Sequence, residues 1–371
     1  MATENNNKNL NVPNLRFPEF SGEWDKFRND SLFNVISEKN KGKLITSVLS
    51  ASQTDGMVSR DSLGIDIKFE EDSIKNYKIV REGDYVIHLR SFQGGFAFSD
   101  RVGVCSPAYT ILRPTEQVSY GFLKPFFMSK KFINSLRLVT YGIRDGKSIS
   151  VEEWLKLNTH LPLLDEQQKM SSFLSLLDER IATQIKIIEK LESLIKGLCL
   201  KLTQQDKPNV ALNECLECYS STLQESSVLD SGVFPVYGAT GICGYTNTPE
   251  VNGDSILIIK DGASVGITYY ASGEYSAIGT LNRLVAKSGY SLQYLYYCLK
   301  VFNFAPYRTG LAIPHIYFRD YGKAQVWCPS IEVQNRIANA LEKVEQKITT
   351  EKSLLEQLYS QKRFLLQAMF I

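Results

Sequence analysis

PLLDEQQKMSSFLSLLDERIATQIKIIEKLESLIKGLCLKLT, residues 162–203, decides how this chain is to be read. From Asp165 onward it has no proline and a single glycine, Gly197. Apolar residues recur at Met170, Leu174, Leu177, Ile181, Ile185, Ile188, Leu191, Ile195, Leu198 and Leu202. The steps are mostly three and four, the seam of a helix that packs on another helix. At roughly 1.5 Å per residue the helix would be about 58 Å long.

The stretch occurs twice. Pro329 lies 167 residues after Pro162, and an ungapped slide by that offset pairs Gln167 with Gln334, Leu174 with Leu341 and Ile181 with Ile348. It also pairs Ile188 with Leu355, Leu191 with Leu358 and Leu198 with Leu365. Lys352 and Lys362 stand where the first copy has Ile185 and Ile195. The copies divide a capping box between them. Glu166 holds the acidic place in the first, while the second has Ser330 but Val333 in the acidic place. A repeat of this kind is the primary fact about a fold. Its unit is a variable region followed by a long helix, and the two helices are expected to pack on each other, antiparallel about an approximate two-fold axis.

A length of 371 residues predicts two or three domains. With 43% hydrophobic and 22% charged residues, the composition is that of an ordinary globular protein. The net charge is +2, but residues 25–160 hold 20 Lys and Arg against 16 Asp and Glu, and residues 206–327 hold 8 against 10. No apolar run reaches the ~18 residues of a membrane span. MATENNNKNLN has no signal-peptide core and predicts disorder over 1–12. Seven scattered cysteines fit a reducing, cytoplasmic setting.

Asn14 to Trp24 concentrates aromatics around a proline and reads as a docking strap. Short strand-like runs separated by Gly and Asp follow to about Thr159, with a helical piece from Tyr120 to Val139 broken at Pro125. QQDKPN, residues 204–209, separates the first long helix from a second region of short strands and many glycines. A helix is expected there near Leu292 to Phe304. Both regions therefore run strands, helix, glycine loop, strand, proline, long helix.

Several motifs could carry chemistry. Gly262-Ala263-Ser264-Val265-Gly266 spells G-x-S-x-G, but β-like sequence follows it where a nucleophile elbow needs a helix, so it reads as a glycine-supported loop. Gly142 to Ser148 is one residue short of a phosphate loop and precedes a β-like run, so no helix N-terminus could hold phosphates. Cys215 and Cys218 form one C-x-x-C with only Cys243 near, too few ligands for a structural zinc. His88, His160 and His315 show no ligand spacing and read as ordinary packing or surface residues. No catalytic set assembles.

Two diverged regions alternating with two similar long helices resemble the specificity subunit of type I restriction-modification systems. The residues that carry the resemblance run along nearly the whole chain. Leu15 to Phe20 with Trp24 resembles that family's N-terminal strap, and Pro162 to Gln167 and Pro329 to Gln334 the openings of its conserved helices. Leu89 to Gly95, Ser106 to Tyr109, Phe234 to Gly238, Gly241 to Tyr245 and Gly262 to Gly266 resemble motifs of its target-recognition domains. Leu163 and Val333 depart from its helix openings.

The resemblance implies an α+β fold. It has an N-terminal strap (1–26), an α/β target-recognition domain (27–161), a long helix (162–203), a second α/β domain (204–328) and a second long helix (329–371). The helices would form an antiparallel coiled coil with a pseudo-two-fold repeat. It also implies a non-catalytic subunit in which each domain reads half of a bipartite double-stranded DNA target. The helices would set the spacer and dock two methyltransferase subunits. S-adenosylmethionine would belong to those subunits, and ATP and Mg to partner restriction subunits, with no cofactor or metal on this chain. Base edges are read by forked donors, amides and hydroxyls. The candidates on glycine-rich loops are Arg90, Gln93, Arg144 and Lys147 in the first domain, and Thr240, Lys260, Ser264, Arg308 and Thr309 in the second. The alternatives are a specificity subunit for a combined restriction-methylation enzyme of another type, and a coiled-coil scaffold that ignores DNA.

Overall fold

The computed structural model describes residues 11–42, 44–52, 55–60, 71–142, 147–310 and 312–371, without the side chains of 71–73. Most of the segment expected to be disordered therefore lies outside the described residues, as does Arg144. The chain divides into two compact units, Met1–Ala182 with Glu356–Ile371, and Thr183–Leu355.

In the first unit the principal sheet runs Phe33–Ile36, Thr110–Pro114, Tyr85–Ile87, Ala97–Phe98, every pair antiparallel. In the second it runs Leu216–Ser220, Leu281–Ala286, Ser255–Ile259, Thr268–Ala271, again all antiparallel. In chain order both are first, fourth, second, third. The second strand of each set lies inside its sheet and is buried along its length, as the runs YVI and SILII foretell. The expected α/β domains thus have antiparallel main sheets. The connections are hairpins and irregular loops, without the helical crossovers that parallel neighbours need. Among the described residues the one parallel pairing of named strands joins Val236–Tyr237 to Ser276–Ala277, in a second four-stranded sheet of the second unit. That sheet is where the units diverge, since the first unit places two-stranded ribbons instead.

The broken helical piece is three short elements, Lys124–Phe127 with Pro125 in its first turn, Lys130–Ser135 and the 3₁₀ turn Leu136–Val139. Phe127 and Phe132 turn inward to pack at 4.6 Å, and Phe96 meets Trp154 at 4.9 Å. Each unit then closes with a matching strand pair, Asp25–Arg28 with Asn158–Leu161 and Val210–Ala211 with Gln325–Val326. A proline and a long helix follow in both.

The long helices are Leu164–Thr203 and Ile331–Met369. In the first unit Asp178 pairs with Lys362, while nearer the helix start Arg16 joins Glu166 and its neighbour Leu15 bonds the Ala368 carbonyl. In the second unit Gln184 bonds Glu351, and Ile195 shares a core with Ile348 and Leu341. As one helix advances the other recedes, so they run antiparallel within each unit. The two lysines that interrupt the second seam are accounted for: Lys362 meets Asp178, and Lys352 meets Glu192 at 2.6 Å.

The buried seam differs from the apolar one. Gln184, Cys199 and Thr203 are buried, whereas Ile185, Leu198 and Leu202 are only partly so. Counting threes and fours from Met170 gives 174, 177, 181, 184, 188, so the strict heptad passes through Gln184. The same count in the second helix passes through Ile348, Glu351, Leu355 and Leu358. Hence a polar layer sits in the seam, and its members touch although they are 167 residues apart.

The shared glutamines explain the helix starts. Gln167 Nε2 donates to the carbonyls of Pro162 (2.9 Å) and Gln117 (3.0 Å), and its Oε1 accepts from the amide of Ser119 (2.9 Å). Gln334 Nε2 donates to Pro329 (2.8 Å), and its Oε1 accepts from Ser291 N (3.0 Å). Each glutamine therefore staples its domain to its helix. Glu166 is not a capping carboxylate. It is 1% exposed and takes a bidentate pair from Arg16 of the strap, at 2.7 and 2.6 Å. Val333 in the same place packs against the apolar core of the second unit. The departure from the repeat reflects which partner each helix meets. The strap is further pinned by Phe17 on Phe173 and by Trp24 on Phe122 and Phe370.

Candidate nucleic-acid interface

Both main sheets carry a loop between their second and third strands in chain order. In the first unit this is His88–Phe96, and in the second Lys260–Ile267. The sequence-derived candidates Arg90, Gln93, Lys260 and Ser264 all fall here.

In the first unit Arg90 and Gln93 are exposed on the turn Ser91–Gly94, closed by Gln93 N to the Arg90 carbonyl at 2.8 Å. Gly95 ends the turn at φ +78°, where a Cβ would stand 1.9 Å from the Phe127 carbonyl oxygen. No side chain fits there, so the turn is seated directly on the domain backbone. The turn packs against Ser148–Ile149, the strand that Lys147 precedes. Lys147 is exposed and described, whereas Arg144 lies outside the described residues. The first unit thus gathers Arg90, Gln93 and Lys147 around one turn and one hairpin.

The second unit gathers a matching pair of loops with more side-chain chemistry. Ile316 N donates to Lys260 O and Gly262 N to Pro314 O, both at 2.9 Å, while Thr309 and His315 exchange backbone bonds at 2.9 and 2.7 Å. Asp261, on the first of these loops, reaches the second with its side chain. Its Oδ1 is 2.7 Å from His315 Nδ1, and its Oδ2 accepts from Lys260 Nζ at 2.5 Å. Partial burial opposes ionisation of Asp261, but the bonds and charges of Lys260 and His315 outweigh it and hold the carboxyl below its usual range. Arg308 donates from Nη2 to the Val265 carbonyl at 3.0 Å.

These contacts sort the candidates. The charged groups of Lys260 and Arg308 are engaged within the chain, so their first effect is to shape the loops. Ser264 and Thr309 lie on the paired loops. Thr240 is exposed on a separate hairpin tip, tied to Thr268–Ala271 by Tyr269 OH on the Ala239 carbonyl at 3.0 Å. His315, expected to be an ordinary residue, joins the two loops. Tyr317 stacks on it (22° between planes), and Arg319 lies over Tyr317 at 4.9 Å and is 79% exposed. Tyr317 caps the short helix Phe318–Tyr321 that carries Arg319, so no single spacing in the sequence marks the three.

Among the described residues the G-x-S-x-G and cysteine motifs form no site, and residues 143–146 of the Gly142–Ser148 motif lie outside the described residues. A strand, Thr268–Ala271, follows the G-x-S-x-G loop, and His315 addresses Asp261. Cys215 and Cys328 are buried together, and the Cys328 bond with burial raises the Cys215 thiol far above its usual value. Burial pushes the Cys218 thiol up to about 11, the opposite of a reactive thiolate. Among the described residues no group of three or more His, Cys, Asp and Glu could hold a metal, and no helix is long and apolar enough to cross a membrane.

The paired layout has a known counterpart. The model of the type I restriction modification DNA specificity domain matches residues 21–193 and again residues 210–360. The chain belongs to that family. Its two matches each take in one main sheet, the loops described above and much of the helix that follows.

Among curated proteins the chain is similar to the type I restriction enzyme EcoprrI specificity subunit of Escherichia coli, 26% identical over 114 residues. That match covers 31% of this chain and 28% of the relative, well under two thirds of its length. Among solved structures it resembles the type I restriction-modification system S subunit from M. genitalium, with a TM-score of 0.63, 18% identity and coverage of 97% and 99% of the two chains. A second likeness is to a chain from a structure of complex assembly and conformational transition of the type I R-M system, with a TM-score of 0.55, 17% identity and coverage of 95% and 98%. At these identities the structural likenesses establish a shared specificity-domain fold.

Proposed function

We propose that this chain is the DNA specificity subunit of a type I restriction-modification enzyme. Each unit's paired loops read one half of a bipartite target in double-stranded DNA, and the two long helices set the spacer between the halves. The observation that carries the reading is the duplicated specificity domain, in which two diverged sequences keep one sheet order and the same loop positions. Contact between Gln184 and Glu351 supports a pseudo-two-fold coiled coil, because an axis of that kind brings equivalent residues together. The outer faces of the helices serve as the docking surface for two methyltransferase subunits.

On this reading the chain does no chemistry. S-adenosylmethionine belongs to the methyltransferase subunits, and ATP and Mg to the restriction subunits. The recognition surface supplies only polar side chains on glycine-supported loops. Much of the affinity for DNA comes from phosphate contacts, which partner subunits can share, so a net charge of +2 is compatible with the role.

The test is to co-express the chain with methyltransferase subunits and map methylated adenines by single-molecule sequencing, with and without this gene. Two half-sites at one fixed spacing are expected. Unchanged methylation when the gene is removed would refute the reading. Methylation that requires a fused nuclease-methyltransferase partner would move the chain to a combined enzyme of another type.

A further inference from the structure

The Lys260–Ile267 loop and the Arg308–His315 segment are joined by the His315–Asp261 side-chain pair, 54 residues apart, and by Arg308 on the Val265 carbonyl. His315 Nδ1 and Asp261 Oδ1 are 2.7 Å apart, at a point where backbone bonds already bring Gly262 to Pro314 and Ile316 to Lys260. An ionised carboxylate only accepts, so His315 Nδ1 is the donor in this contact. Lys260 closes the second carboxylate oxygen, so Asp261 is held from both directions. Each loop also has a glycine at a crowded position with positive φ. Gly266 at φ +93° would place a Cβ 2.8 Å from Phe304, and Gly310 at φ +88° would place one 2.3 Å from the Ile313 carbonyl oxygen. The arrangement has the form of a latch between two turns, with Thr309, Tyr317 and Arg319 left exposed beside it.

We propose that His315 is a positioning residue for DNA recognition: through Asp261 it locks the two loops into one reading element, whose exposed side chains meet the base edges of one half-site. The inference rests on the DNA-reading function proposed above. It makes the geometry of the element depend on His315, while base selection lies with the exposed neighbours. Base-edge readout needs donors and acceptors placed to within hydrogen-bond tolerance, and two loops free to move independently lose that placement.

The test compares His315→Ala with His315→Asn in the full chain. The asparagine amide can take the place of Nδ1 and keep the bond to Asp261. Hydrogen exchange of the free chain reads the latch itself. His315→Ala should speed exchange at Gly262, Thr309 and Ile316 by about tenfold, the scale of one charge-assisted bond. The strand Ser255–Ile259 should remain protected, and His315→Asn should behave as the wild type. Methylation mapping with the methyltransferase subunits reads the consequence. The alanine variant should give a degenerate second half-site with an unaltered first half-site, and asparagine should restore the original sequence.

Unchanged exchange in His315→Ala would overturn the latch. Faster exchange with the same half-site and the same methylation rate would overturn its role in recognition. Faster exchange throughout the second unit's sheet would also overturn it, by showing a general structural role. If the wild-type complex methylates no defined sequence while the exchange results hold, the function proposed above fails and the latch stands.

Discussion

Replacing Gln167 by alanine removes a side chain that is 1% exposed and makes three hydrogen bonds. The amide of half-buried Ser119 loses its acceptor, and the carbonyls of exposed Gln117 and buried Pro162 each lose a donor. An orphaned donor costs about 1–3 kcal/mol, least where water can reach it, and each lost carbonyl bond about 1 kcal/mol. The sum is about 3–5 kcal/mol. Gln334→Ala removes two bonds from an equally buried site, so it should cost about 2–4 kcal/mol. For units of this size 1 kcal/mol moves the midpoint by roughly 2–4 °C. Gln167→Ala should therefore lower the first transition by roughly 6–20 °C, and Gln334→Ala should shift the other by less.

The assay can separate the units. Trp24 and Trp154 report the first, and Trp327 alone reports the second, so melts in a Trp327→Phe background follow the first unit only. The reasoning is refuted if Gln167→Ala costs under about 1 kcal/mol, or if the ordering of the two variants is reversed.

Three further outcomes follow from particular contacts. Arg16→Ala leaves Glu166 buried and unpaired and should destabilise the first unit by about 3 kcal/mol, whereas Glu166→Val, which copies the second helix, should cost less because Arg16 can turn to solvent; paired denaturant titrations decide between them. The Asp261 carboxyl is held below its ordinary value, so its contribution is present above about pH 4 and lost as pH falls through its folded pKa; Gly262 and Thr309 amides should lose protection in that acid window, and Asp261→Asn should abolish the pH dependence. Replacing both Gln184 and Glu351 by leucine should leave thermal stability equal or higher, because an apolar layer replaces a desolvated polar one; a large drop in melting temperature would refute that account of the seam.

Much of the architecture is legible in the chain because it is written in local periods. The 167-residue repeat exposes two equivalent helices, and steps of three and four give their packing face. Buried central strands announce themselves as unbroken apolar runs. The loops bearing Arg90, Gln93, Lys260 and Ser264 stand out because glycines punctuate them. Around position 184 apolar periodicity points to Ile185, whereas the strict heptad count passes through its neighbour Gln184.

Other features have no local signature. Glu166 looks like a capping residue until Arg16, 150 residues earlier, is found beside it. Arg308 looks like a reader until the Val265 carbonyl, 43 residues earlier, is found to hold it. His315 looks ordinary until it faces Asp261 across the loops. The sequence by itself determined the duplication, the helices and the places where reading loops must lie, because backbone periodicity and glycine conformation act over a few residues. Only the tertiary structure decided how polar side chains such as Arg308, His315 and Glu166 are engaged, because hydrogen bonds between residues 43 to 150 positions apart are fixed by packing and leave no spacing to read.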